Sequence, residues 1–93
     1  MILGTLSKQP NDRADFDIDC TQWLSAYGDT INYVAAEVDD TDLDILSVSH
    51  ASGFVKVWLD GGVDGTQYKV TVTMNSTGGR QVEMEVRVRV RAV

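Results

Sequence analysis

Residues 40–44 have the spacing with which a calcium-binding loop begins. Aspartates occupy the first, third and fifth positions, where such a loop places oxygen ligands. The pattern then fails, because the sixth position is Ile45 instead of glycine and the twelfth is Ala51 instead of glutamate. A solvated acidic loop is the simpler interpretation, and the sequence predicts no metal site.

The chain has one histidine, His50, and one cysteine, Cys20. One cysteine cannot form an internal disulfide, and together the two residues cannot complete a zinc site. Ser47 and Ser49 lie near His50, but neighbours on a strand point to opposite faces, so no catalytic triad follows from their proximity. The sequence also lacks a nucleophile elbow and a phosphate-binding glycine loop. We therefore predict no catalytic residue, no cofactor and no enzymatic activity, and we expect Cys20 in the core.

Two rows of like-charged side chains are the strongest candidates for an interface. The basic row comprises Arg87, Arg89 and Arg91, and the acidic row comprises Asp15, Asp17 and Asp19. Alternation with apolar residues places each row on one face of a strand. Like charges this close repel each other and favour oppositely charged partners. We predict that the acidic row meets the basic row, within the domain or on a neighbouring subunit; two solvated faces are the alternative.

Alternation of apolar and polar residues predicts a chain of short strands. The predicted strands are residues 15–20, 30–38, 43–50, 54–59, 66–75 and 81–93. We interpret residues 21–24 as a turn that brings Trp23 to the core, and we expect a bulge near Tyr33 or Val34. Residues 1–14 show no clear period. The sequence therefore predicts an N-terminal extension at residues 1–14 and one β-sandwich domain at residues 15–93.

Composition and charge limit the classes of function. The 93 residues suit one domain with a net charge of −6. Residues 1–64 carry twelve acids and three bases (−9), and residues 65–93 carry two acids and five bases (+3). An acidic chain is poorly suited to nucleic acid, and no apolar run is long enough to cross a membrane. The N-terminus does not have the pattern of a secretory signal. We predict no nucleic-acid or membrane partner.

A glycine-rich corner separates two of the predicted strands. Leu59 closes one strand, Gly65 lies in the corner, and Tyr68 opens the next strand. This arrangement resembles the tyrosine corner of immunoglobulin-like and fibronectin-III-like domains, where the ring is buried and the hydroxyl bonds to nearby backbone. The resemblance implies an all-β fold, an antiparallel immunoglobulin-like or fibronectin-III-like β-sandwich of six or seven strands.

Short sequence motifs along most of the chain resemble a family of phage proteins. They lie at residues 6–10, 15–19, 23–24, 28–31, 55–59, 61–62, 65, 68–72 and 78–80. These motifs are similar to those of small tail proteins of double-stranded DNA phages and prophages, of the fiber-tail adaptor type. The resemblance implies a structural protein of the virion tail, made in the cytoplasm of the bacterial host. Its partners would be other tail or fiber proteins, and a homo-oligomeric ring around the tail axis is one arrangement.

A ligand-binding β-sandwich module is the alternative function. Such a module would hold calcium or carbohydrate through the acidic loop and through Trp23, Trp58 and Tyr33. Exposed aromatic side chains that converge on one pocket would favour this alternative. Buried tryptophans and a flat charged face would favour the tail protein.

Overall fold

A computed structural model describes residues 2–93, with side chains described from Leu3 onward. Within this range, seven strands and one short helix follow one another. They are β1 Ile2–Lys8, β2 Ala14–Asp19, α1 Thr21–Tyr27, β3 Ile31–Val38, β4 Leu43–Ala51, β5 Phe54–Gly61, β6 Thr66–Ser76 and β7 Gln81–Val90. Each of the six strands predicted from the sequence overlaps an observed strand, and β1 is additional.

The strands form two sheets that face each other across a shared core. One sheet has four strands in the order β1-β7-β6-β3, and the other has three in the order β2-β5-β4. Every pair is antiparallel except β1 and β7, which run parallel. The prediction of a purely antiparallel sandwich is wrong at that pair. A hairpin would have returned β2 antiparallel beside β1; residues 9–13 instead carry the chain from one sheet to the other.

The N-terminal segment is a strand of the four-stranded sheet, which corrects the predicted extension. Ile2–Lys8 forms β1 and pairs with β7; residue 1 lies outside the described residues. Leu6 packs against the core, and the side chain of Lys8 is also buried. The inward row of β1 thus includes a glycine, Gly4, and a lysine as well as a leucine. These residues hide the two-residue apolar period, so the sequence pattern does not reveal this strand.

The core is built from the alternate side chains of three long strands. β5, β6 and β7 each bury every second residue. Their buried aliphatic and methionine side chains are Val55, Val57, Leu59, Val70, Val72, Met74, Met84, Val86, Val88 and Val90. Burying one such side chain stabilises the fold by about 1.5–3 kcal/mol. The core therefore holds these three strands rigidly and fixes which of their side chains point outward.

Strand β3 has the irregularity that the sequence predicts. Its register against β6 shifts between Ile31 and Tyr33. After the shift, Val34 and Ala36 pack against the core while Tyr33 is exposed. A bulge of this kind reconciles two apolar rows of opposite parity on one strand.

A short helix occupies the segment interpreted as a turn. The seven residues of α1 bury Leu24, whereas Trp23 is only partly buried. Trp23 packs edge-on against Tyr27, with 5.4 Å between the ring centroids. Gly28 ends the helix in the left-handed conformation at φ 62. Two turns are too few for a helical period to stand out in the sequence.

The corner between β5 and β6 has the geometry of a tyrosine corner. Tyr68 is 1% exposed, and its hydroxyl accepts a hydrogen bond of 2.9 Å from the backbone N–H of Val63. Leu59 is fully buried beneath the corner. Gly65, at φ 83, donates its N–H to the carbonyl of Val90 at 2.8 Å. The corner is thereby tied both to the core and to the end of β7.

Candidate interaction surfaces

The basic row lies on the outer face of the four-stranded sheet. Arg87 and Arg89 are exposed on β7, whereas Arg91 follows the end of that strand, which stops three residues earlier than predicted. Lys69 of β6 lies directly opposite Arg87. Arg87 also contacts Glu85, with 3.6 Å between its Nε and a carboxylate oxygen. We call the exposed group of Arg87, Arg89 and Lys69 the basic end.

The acidic row lies on the outer face of the other sheet and contacts a lysine of that same sheet. Lys56 of the neighbouring strand β5 contacts Asp15 at 2.8 Å and Asp17 at 3.1 Å. These hydrogen bonds, that to Asp15 first, raise the pKa of Lys56. Within the domain, two members of the acidic row therefore pair with Lys56 and not with the arginines. The basic end and the acidic row face away from each other, one on each sheet.

Asp19, the third member of the acidic row, stabilises the start of α1. Its carboxylate accepts hydrogen bonds from the hydroxyl and from the backbone N–H of Thr21, the second at 2.9 Å. These bonds, with the hydroxyl contributing most, hold the pKa of Asp19 below its usual value. Its negative charge consequently persists at all but strongly acidic pH.

Exposed apolar side chains surround the lysine on the same outer face. Phe54 and Trp58 flank Lys56 along β5 and are 43% and 36% exposed. Leu46, on the adjacent strand β4, is 47% exposed. We call Phe54, Lys56 and Trp58, together with the acidic row, the acidic-aromatic face. The sequence does indicate that these aromatic residues point outward, because Phe54 and Trp58 alternate with Val57 and lie on the same side of the strand as Lys56.

A buried lysine connects the two sheets near the end of the basic row. Lys8 is 5% exposed, and its Nζ donates hydrogen bonds to the backbone carbonyls of Gln9 and Gly61. Burial lowers the pKa of Lys8, against the opposing influence of the nearby carboxylates of Asp12 and Asp60. Gly61 belongs to β5, so this ammonium group joins β1 to the opposite sheet. Because both bonds use backbone acceptors, sequence motifs give no sign of this role.

A hydrogen-bonded aspartate organises the opposite end of the sandwich. The carboxylate of Asp29 accepts hydrogen bonds from the backbone N–H groups of Thr30 and Gly78, each at 2.9 Å, and from Nη1 of Arg80 at 3.0 Å. A hydrogen bond from Ser76 contributes most to lowering the pKa of Asp29 to about 2. This carboxylate joins the start of β3 to the hairpin between β6 and β7.

The guanidinium of Arg80 extends this network to the helix. It lies 4.1 Å from the centroid of the Tyr27 ring, which in turn contacts Trp23. A cation over an aromatic face adds about 0.5–1 kcal/mol at an exposed site. Asp29 and Arg80 lie in two of the motifs that resemble the phage family, but the contact between them could not be predicted, because the two segments are about fifty residues apart.

One protein family matches nearly the whole chain. Residues 8–89 match the family described as podophage GP4 fiber-tail adaptor protein gp77. The chain belongs to this family of phage fiber-tail adaptors. No protein with a curated description matches it. The family is one of structural tail proteins and not a class of enzymes, and the resemblance identified from the sequence motifs is confirmed.

The aromatic residues of the alternative function lie on separate surfaces of the adaptor. Trp58 is on the outer face of the three-stranded sheet, and Tyr33 is on the four-stranded sheet. Trp23 packs beside Tyr27 on α1. These three side chains do not form one pocket, so the structure does not favour a carbohydrate site built from them.

Carboxylates in and beside the acidic loop accept hydrogen bonds from backbone N–H groups. Asp39 accepts the N–H of Lys69 at 3.0 Å, and Asp40 accepts the N–H of Asp42 at 3.1 Å. Across residues 2–93, we find no group of three or more histidine, cysteine, aspartate or glutamate side chains that could hold a metal ion.

His50 is exposed on β4, and burial raises the pKa of the Cys20 thiol. In the part of the chain that the structure describes, no helix is long and apolar enough to cross a membrane.

Proposed function

We propose that this adaptor joins the phage tail to its fibers by direct protein–protein contact, without catalysis or a cofactor. The observation that carries the proposal is the position of the two charged surfaces. The basic end and the acidic-aromatic face lie on the outer faces of different sheets, so one subunit can contact two partners at once. Aromatic residues and arginine are enriched at protein interfaces, and both surfaces contain such residues. The protein would be made in the host cytoplasm and work in the virion tail.

The strand order supports an immunoglobulin-like version of the sandwich. In that fold, one sheet contains strands C, F and G, and the other contains B, E and D. The adaptor has β3, β6 and β7 in the first arrangement and β2, β5 and β4 in the second. Tyr68 lies near the start of β6, the strand that corresponds to F, where the tyrosine corner of immunoglobulin-like domains is found.

Repetition of the adaptor around the tail axis is an alternative use of the same two surfaces. If the basic end of one copy contacts the acidic-aromatic face of the next, the contact is heterologous and closes into a ring when the rotation permits. Each exposed ion pair is worth less than about 1 kcal/mol. A ring in free solution would therefore be weak, and assembly would depend on the tail as a template.

The proposal is tested by mass spectrometry of purified phage particles together with a deletion of the gene. We expect the adaptor in wild-type particles, and particles from the deletion should lack fibers while keeping their heads. Absence of the adaptor from wild-type particles, with normal fibers after deletion, would contradict the proposal.

A triple variant tests the role of the basic row. Arg87, Arg89 and Arg91 changed together to glutamine should leave the fold intact, because all three side chains are exposed, and should reduce incorporation into particles. Arg13→Gln is the control, since it removes one exposed arginine from the connection between β1 and β2. Equal incorporation of the triple variant and the control would show that the basic row is only a solvated surface.

A further inference from the structure

A groove lies along the side of the sandwich where the edges of the two sheets meet. β1 is an edge strand of one sheet and β2 is an edge strand of the other. Residues from both strands line the groove, which has a volume of about 320 Å³. Its apolar lining includes Leu6, Phe16 and Ile18, and Asp17 and Asp19 also line it. Leu6 and Phe16 are only partly buried, so the core is incompletely covered along this edge.

We propose that the groove receives an extended strand of another tail or fiber protein, which pairs with the open edge of β2. Addition of a strand to an exposed sheet edge is a common mode of peptide recognition, in which backbone hydrogen bonds give affinity and side-chain contacts give specificity. This inference rests on the proposed function and identifies the kind of partner segment that it requires.

The backbone of β2 is available for such pairing. Within the described chain, β2 pairs with β5 alone. The N–H of Cys20 donates to the carbonyl of Gly53 at 3.0 Å, which shows that the backbone of Cys20 faces β5. Successive residues of a strand present their backbone groups to opposite sides. The N–H and C=O groups of Asp17 and Asp19 therefore face the open edge.

The side chains around the groove specify the pattern of the incoming strand. Its inward residues would pack on Leu6, Phe16 and Ile18, which requires apolar side chains. Its outward residues would lie beside the acidic row, whose three aspartates are accompanied by one lysine, so that the group has a net charge of −2. Opposite charges on neighbouring strands stabilise pairing, and like charges destabilise it. The partner strand should therefore alternate apolar residues with lysine or arginine.

The adaptor contains one strand with this pattern, but that strand is already paired. β7 alternates valine with arginine from Val86 to Val90. It lies between β1 and β6 and is hydrogen-bonded on both sides. A second copy of the adaptor could not donate β7 without unfolding its own core. The occupant is accordingly a strand from a different protein.

A charge-reversal pair tests the proposal with tails from the gene deletion. Purified adaptor is added to adaptor-free tails, and bound protein is measured after sedimentation. Asp17→Lys reverses a charge at the groove, whereas Asp44→Lys makes the same change on β4, at the other edge of the same sheet. Both residues are exposed, so both variants should fold, which circular dichroism checks. We expect Asp17→Lys to weaken binding about tenfold and Asp44→Lys to change it less than about twofold.

Hydrogen exchange of the bound adaptor provides a second readout. Amides facing the open edge of β2 should exchange more slowly in the tail-bound adaptor than in the free protein, because they donate to the added strand. If wild-type adaptor binds the tails while both variants bind equally and exchange in β2 is unchanged, the groove proposal is overturned and the proposed function stands. If wild-type adaptor does not bind and is also absent from wild-type particles, both are overturned.

Discussion

Tyr68→Phe removes one oxygen atom from the corner that connects β5 to β6. In the wild-type protein, the hydroxyl accepts a 2.9 Å hydrogen bond from the N–H of Val63, and the tyrosine is 1% exposed. The phenylalanine ring fills the same space, so no cavity forms and the change isolates the hydrogen bond. A typical net contribution of one such bond is about 1 kcal/mol, and an unsatisfied buried donor adds to the cost. Since Val63 itself is 50% exposed, water can reach part of this segment, and we expect a total loss of about 1–2 kcal/mol.

Urea denaturation measures this loss directly. For a small domain, the free energy of unfolding falls by about 1 kcal/mol per molar urea, so the midpoint should fall by about 1–2 M with an unchanged slope. Tyr33→Phe is the matched control, because Tyr33 is 55% exposed and lies on an outer face; its midpoint should shift by less than about 0.5 M. Equal midpoints for the two variants would refute the corner as a stabilising element.

Three further predictions concern the network at Asp29, a glycine beside the corner, and the acidic loop. Hydrogen bonding lowers the pKa of Asp29 from 3.8 to about 2, so the stability that its carboxylate contributes is fully present above about pH 4 and is lost as the pH falls towards 2. Urea midpoints measured against pH should show this loss. An identical pH profile for Asp29→Asn would contradict the prediction. Gly62→Ala should destabilise the fold by about 1–3 kcal/mol, since Gly62 has φ 99 and the added Cβ would lie 2.7 Å from Val90; a melting temperature equal to that of wild type would show that the corner adjusts. Calorimetry should detect no micromolar calcium binding, because the ligand pattern fails after Asp44, and a stoichiometric binding isotherm would restore the ligand-binding module.

The long inner strands could be predicted because local sequence determines them. In β5, β6 and β7, valine, leucine and methionine recur at every second position, and the structure buries that row. The corner could also be recognised, since Gly65 supplies the positive φ of the turn and Tyr68 follows it three residues later, near the start of the next strand. Both features depend on neighbours in the sequence.

The remaining features depend on residues that are distant in the sequence. β1 could not be predicted because Lys8 points inward, against the usual pattern of a strand. Hydrogen bonds from its ammonium group to the backbone carbonyls of Gln9 and Gly61 stabilise the buried charge. The pairing of Asp15 and Asp17 with Lys56 could not be predicted, because charge alone does not reveal which strand lies beside β2. Only the register against β5 places Lys56 next to Asp15 and Asp17.

Photo-crosslinking within assembled particles tests most directly whether the adaptor connects two kinds of tail component. A photoreactive phenylalanine analogue would replace Arg89 in the basic end or Phe54 in the acidic-aromatic face, two exposed positions on different sheets. After irradiation of purified particles, mass spectrometry identifies the protein joined to each position. We predict that the two positions crosslink to different proteins, with a tail or fiber protein among them. Particles that contain the adaptor but yield no crosslink from either position to another tail or fiber protein would contradict a connecting role.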